Sequence, residues 1–94
     1  MDPFEQKGWD RFLGKEVILD TATSLLYIGT LRAVDEHFVE LDAADVHDRV
    51  EGHSTNEKYV MDTRKTGVRA NRRAVTVRKT MVVSLSLLAD VISY

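Results

Sequence analysis

The chain contains no cysteine. This excludes a disulfide framework and a thiolate metal site, and it fits a reducing, cytoplasmic setting. Its one proline, Pro3, lies in the first few residues and interrupts no later segment. The opening Met1-Asp2-Pro3-Phe4-Glu5 lacks a basic region followed by an apolar one, so no signal peptide is expected. No apolar run approaches the ~18 residues that a membrane span requires, so no membrane partner is expected either. Positive charge is not in excess: 13 Lys and Arg stand against 15 Asp and Glu. The resulting charge of −2 argues against general, sequence-blind adhesion to nucleic acid. Catalytic signatures are also missing. Ser84 and Ser86 lie in an apolar strand with no histidine nearby in sequence. Thr66-Gly67 after Arg64-Lys65 lacks the spaced glycines and helix of a phosphate loop. Asp45-x-His47-Asp48 offers metal ligands, but no third and fourth ligand follow at a recognised spacing, and a solvated loop is the expected reading. No catalytic residue, cofactor or metal is therefore expected, and the chain is read as a non-enzyme.

Apolar residues make up 44% and charged residues 30%, a globular balance. The 94 residues suit one small domain, 1–94, built as an all-β barrel of five or six short strands. So small a barrel gains from pairing its edge strands with a partner. Residues 1–14 read as an N-terminal helix. Asp2 is its cap, Pro3 its first residue and Glu5 the reciprocal capping acid. Trp9, Phe12 and Leu13 form its apolar face, set to plug a barrel end, and Gly14 is the left-handed residue that ends it. The first three strands occupy 15–41: Glu16 to Asp20, Leu25 to Val34 and Phe38 to Leu41. Gly29 marks a sharp bend, and Asp35 caps the turn before the third strand by accepting backbone N–H groups. Residues 42–73 form a long connection, expected as strand extensions or an excursion closing on itself. Within it, Lys58-Tyr59-Val60-Met61-Asp62-Thr63 reads as a strand. The last strands lie in 74–94, Ala74 to Arg78 and Met81 to Leu88, with Asp90-Val91-Ile92 as a closing turn or a short extra strand.

Charge is segregated along the chain. Arg64, Lys65, Arg69, Arg72, Arg73, Arg78 and Lys79 follow one another, with no acid between Arg64 and Lys79. Eight acids from Asp35 to Glu57 crowd the preceding segment. Such blocks can form a phosphate-binding face, pair head-to-tail between identical subunits, or neutralise each other across adjacent strands.

Gly29-Thr-Leu31-Arg-Ala-Val34-Asp35-Glu-His37-Phe38 and Val75-Thr-Val77-Arg78-Lys79-Thr-Met-Val82-Val83-Ser-Leu85 together resemble the two-part signature of the Sm/LSm/Hfq family. Gly29, Leu31 and Asp35 match its first half as structural positions, and Val77-Arg78 matches its second. The resemblance implies a small, strongly bent, five-stranded antiparallel Sm-like (SH3-like) barrel. It also implies a homo-oligomer, usually a ring, in which the fourth strand of one subunit pairs with the fifth of the next. Val75, Val77, Val82, Val83, Leu85, Leu87 and Leu88 supply the apolar strands for such a junction.

The family's partner is single-stranded RNA, bound by a stacking side chain, an asparagine reading the base edge and an arginine. By position, His37 would stack and Arg78 would supply the cation. Val39 stands where the family has asparagine and cannot hydrogen-bond a base edge, so uridine selectivity should be lost or moved. Lys79 stands where the family has glycine, as an added phosphate contact. Arg64, Lys65, Arg69, Arg72 and Arg73 would form an auxiliary basic surface. The alternative is a protein-interaction or assembly module of the same fold that binds no nucleic acid.

Overall fold

The computed structural model describes residues 6–50 and 56–92. The expected helix cap at Asp2, Pro3 and Glu5 lies outside the described residues. The order is α1 (Gln6–Asp10), β1 (Glu16–Thr21), β2 (Leu25–Val34), β3 (Phe38–Asp48), α2 (Asn56–Thr66), β4 (Arg72–Arg78) and β5 (Val82–Leu87). Single 3-10 turns follow β4 (Lys79–Met81) and β5 (Leu88–Asp90). The latter is the closing turn expected near Asp90.

All strands join one antiparallel sheet in the order β4-β3-β2-β1-β5. Two register shifts between β2 and β3 bend it, one at Ile28/Thr30 and one at Leu31/Ala33. The first accommodates Ala43, whose φ is +48°. Opposite it, Gly29 lets the strands approach closely: a Cβ there would lie 3.0 Å from both the Ala44 Cα and the Asp42 carbonyl oxygen. The second shift explains why Val34 joins the core although alternation from Leu31 would turn it outward.

Bending gives the sheet two buried faces. Inside the curve, Val17, Leu19, Leu31, Val39, Leu41 and Val77 pack with Trp9 from α1, and Phe12 packs against them. This is the plug expected of Trp9; Leu13, expected beside it, is instead 39% exposed. Gly14 does adopt a left-handed conformation, φ +77°, and donates its N–H to the Leu31 carbonyl at 2.8 Å. On the outside of the curve Ile18, Leu26, Ile28 and Leu88 are buried, with Tyr59, Val60, Val68 and Val91 packed on them.

The connection differs from expectation in two ways. β3 runs to Asp48, seven residues past Leu41, and residues 58–63 are helical. The β-branched and aromatic residues there suggest a strand, but their spacing decides otherwise. Tyr59, Val60 and Thr63 share one helical face, and that face covers the outer side of the sheet. Glu57 in the first turn and Arg64 and Lys65 in the last complement the helix dipole. Lys58 and Asp62 pair one turn apart at 3.7 Å. Gly67, φ +92°, closes the helix by donating to the Thr63 carbonyl at 2.8 Å. Among the described residues, no helix is long and apolar enough to cross a membrane.

Candidate functional site

The β2–β3 turn and the β4 end meet at one rim of the barrel. Asp35 organises the turn: one of its carboxylate oxygens accepts the N–H of His37 at 2.8 Å and of Phe38 at 2.7 Å. Its own N–H donates to the Phe38 carbonyl at 3.0 Å. This is the Asx role expected from the sequence. The His37 and Phe38 N–H groups, with smaller help from the charges of His37 and Lys79, hold the Asp35 carboxyl below its ordinary value of 3.8. A native pKa below the unfolded one means that the contribution to stability is present above the unfolded value. It is lost as pH falls through the lower native value. Asp35→Asn keeps an acceptor oxygen but no titration, so its melting temperature should fall less steeply than the wild type's below about pH 4. Parallel slopes in an acid thermal-melt series would remove Asp35 from this role.

His37 projects from the turn with its side chain 73% exposed. Its contact with Glu36, 3.9 Å, is between two solvated groups and constrains the ring little. Phe38 contacts the His37 ring edge-on, centroids 6.4 Å apart, and is 40% exposed. Phe38 is the cross-strand partner of Arg78, so both side chains leave the same face of the sheet. Arg78 is exposed and forms no ion pair among the described residues. The rim therefore carries a histidine, a phenylalanine and an arginine, the side-chain types on which bases stack. Phe38 was not among the sequence candidates. Its pairing with Arg78 becomes visible only with the register.

Lys79 is arranged differently from a free phosphate contact. Its N–H donates to the His37 carbonyl at 2.8 Å, and its Nζ donates to the Asp35 carbonyl at 3.1 Å. The ammonium also lies over the Trp9 ring, 5.6 Å from its centroid. Lys79 thus ties the turn, the β4 end and α1 together. Val39 is fully buried opposite Val77, so the base-edge position of the family holds a core residue here.

The auxiliary basic residues lie elsewhere. Arg72 and Arg78 begin and end β4, roughly 20 Å apart at the usual strand rise. Arg73 neighbours Arg72, Arg64 and Lys65 end α2, and Arg69 lies in the link between them; all five are exposed. Two acids of β3 are met by a different cation: Arg32 of β2 reaches Glu40 at 3.1 Å and Asp42 at 3.4 Å.

The Asp45-x-His47 pair has structural partners. The Tyr59 hydroxyl donates to Asp45, which is 5% exposed, and Asn71 donates to it at 3.4 Å. His47 stacks on the Tyr59 ring at 3.8 Å. No group of metal-ligating side chains occurs among the described residues.

No protein-family model matches this sequence, and no curated protein does. Solved structures do match. One is the Sm protein of Pyrococcus abyssii in complex with a uridine heptamer: 19% identity, TM-score 0.61, covering 93% of this chain and 99% of that one. A chain of the NatC complex bound to Gag peptide and CoA is 20% identical, with TM-score 0.55 and coverage of 83% and 87%. A chain of the NatC complex bound to CoA is 20% identical, with TM-score 0.56 and coverage of 93% and 88%. The chain has the Sm-like fold that its two motifs implied.

Proposed function

We propose that this protein is a homo-oligomeric, non-enzymatic Sm-like scaffold that binds single-stranded RNA with weak or altered base selectivity. The observation that carries this reading is the rim itself. A turn fixed by Asp35 presents His37 and Phe38 beside Arg78, two stacking rings next to a cation without an ion pair. The likeness to an Sm protein held with a uridine heptamer supports it. Stacking tolerates any base, and Val39 in the core leaves no amide to read a base edge. Self-association is supported by β4 and β5, the two edges of the sheet. On β5, Val83 is 70% exposed, an apolar edge that pairing would cover.

The second reading is an assembly module that binds protein and no RNA. The likeness to chains taken from the NatC complex favours it. The two readings separate by titrating oligo-U, oligo-A and a mixed strand at two salt concentrations, with the mass in solution measured on the same sample. RNA binding should weaken steeply with salt, with a U-to-A ratio near one. An oligomer that ignores all three strands at low salt would favour the assembly module. Arg78→Ala should lower affinity for every strand and flatten the salt slope by about one unit. Lys79→Met should leave the slope nearly unchanged and lower the melting temperature instead, because its ammonium is engaged with Asp35 and Trp9. Equal slopes for wild type and Arg78→Ala would take Arg78 out of the site.

A further inference from the structure

Lys79 stands where the Sm pattern has glycine, and it does so without backbone strain. It opens the 3-10 turn Lys79–Met81, and among the described residues Ala43 is the one non-glycine with a positive φ. A side chain is therefore tolerated there. Lys79 is half-buried, whereas Arg78 beside it is exposed. The two adjacent cations divide their roles: one faces solvent, the other faces the protein.

The hydrogen bonds of the turn show what Lys79 does there. The Asp35 carboxylate accepts the His37 and Phe38 N–H groups, and the Asp35 N–H donates to the Phe38 carbonyl. Lys79 supplies donors to two further carbonyls. Its main-chain N–H donates to His37 at 2.8 Å, and its Nζ donates to Asp35 at 3.1 Å. The first bond survives a substitution; the second does not. The ammonium also connects the turn to α1, because it lies 5.6 Å from the centroid of the Trp9 ring. Trp9 is a fixed platform. It is buried with Val34, Val39 and Val77, which flank the turn and the end of β4. Behind it the chain is fastened to β2, where Gly14 donates to the Leu31 carbonyl at 2.8 Å and Leu31 donates to the Lys15 carbonyl at 3.0 Å. The rings that would meet a base have no such support. His37 is largely exposed and touches Phe38 only edge-on. Their placement depends on the main chain beneath them, and a main chain already ordered leaves less to be ordered on binding.

We propose that Lys79 is a positioning residue of the rim. Its ammonium, braced on Trp9, fixes the Asp35 end of the turn and so presents the His37 and Phe38 rings to single-stranded RNA without itself touching the RNA. The inference rests on the RNA-binding reading above and makes α1 a part of the site.

The test measures the affinity of the full chain for oligo-U and oligo-A at several salt concentrations, at a temperature well below the melting points of all variants. Lys79→Met removes the donor and the charge but keeps most of the side chain's length. It should weaken binding of both strands by roughly fivefold, the ordering cost of about one side chain, with the salt slope nearly unchanged. Lys79→Arg keeps a donor and a cation that can lie on a ring, and should restore most of the affinity. In a His37→Ala background Lys79→Met should cost only about twofold, because one of the rings it positions is gone. Trp9 is the single tryptophan, so its fluorescence should change in free Lys79→Met and return in Lys79→Arg. A wild type that binds RNA beside a Lys79→Met protein of equal affinity would overturn the positioning role and leave the RNA reading standing. A salt slope flattened by about one unit would make Lys79 a direct phosphate contact and overturn the proposal. So would an undiminished loss in the His37→Ala background, or Trp9 emission that ignores the substitution. A wild type that binds no strand at low salt would overturn this role and the RNA reading together.

Discussion

Gly29→Val is expected to destabilise the protein by about 3 kcal/mol, the upper end for overpacking a closely packed site. For a domain of this size that lowers the melting temperature by about 15 °C. The reason is where the new atoms would go. A Cβ at Gly29 meets two backbone atoms of β3, the Ala44 Cα and the Asp42 oxygen, each at 3.0 Å. Neither is the free end of a side chain, and both belong to the segment that bends the sheet around Ala43. Relief therefore requires β3 to move away from β2 at the point where curvature is set. Gly14 provides the contrast. It needs a positive φ, but nothing lies within 4 Å of the position of its Cβ. Gly14→Ala should cost only the left-handed conformation, about 1 kcal/mol. Thermal melts of the two variants separate packing from backbone freedom. A Gly29→Val protein as stable as Gly14→Ala would mean that the strands do not approach as described.

Tyr59 is the second sensitive position. Tyr59→Phe keeps the ring on His47 but removes the hydroxyl that donates to Asp45. Asp45 is then left with Asn71 at 3.4 Å as its side-chain donor, and a carboxylate at 5% exposure loses its best partner. The expected cost is about 2 kcal/mol. Tyr59→Ala also removes the ring that covers the outer face of the sheet, and should cost about 3–5 kcal/mol. The hydroxyl carries its own pH signature. Burial first, then the hydrogen bond and charge of Asp45, push Tyr59 up to about 12, against a smaller opposing effect of Arg69. A raised native pKa means that the contribution is complete below the ordinary value of 10.0 and is lost as pH rises toward 12. Of the three tyrosines, one should therefore titrate late in an absorbance titration, with α2 released over the same range. Loss of the late step in Tyr59→Phe would confirm the assignment. Its persistence would transfer it to another tyrosine.

How much of this was legible in the chain varies with the range of the interactions. β1 and β2 could be read almost to the residue, because their apolar runs are bounded by short polar turns. The Asp35 turn was equally legible, since an aspartate two and three residues before its N–H donors makes a local hydrogen-bonded unit. The helix at Asn56–Thr66 was misread because local propensity favours strand for Tyr59-Val60. Only the outer sheet face, assembled from Ile18, Leu26 and Ile28, gives those residues something to cover as a helix. The contact of Lys79 with Trp9 could not be read, because nothing in the sequence connects it to a residue seventy positions earlier. Phe38 was passed over because its partnership with Arg78 depends on register.

By itself, then, the sequence determined β1 and β2, their bending point, the rim turn and the absence of thiol chemistry. Each of these follows from residues close together in the chain or from composition. Tertiary structure alone decided which side chains share the rim, which cation ties its parts together, and which strand edges lie open. These depend on pairings between residues tens of positions apart. The free energy of such pairings comes from burial and register, which no local segment contains.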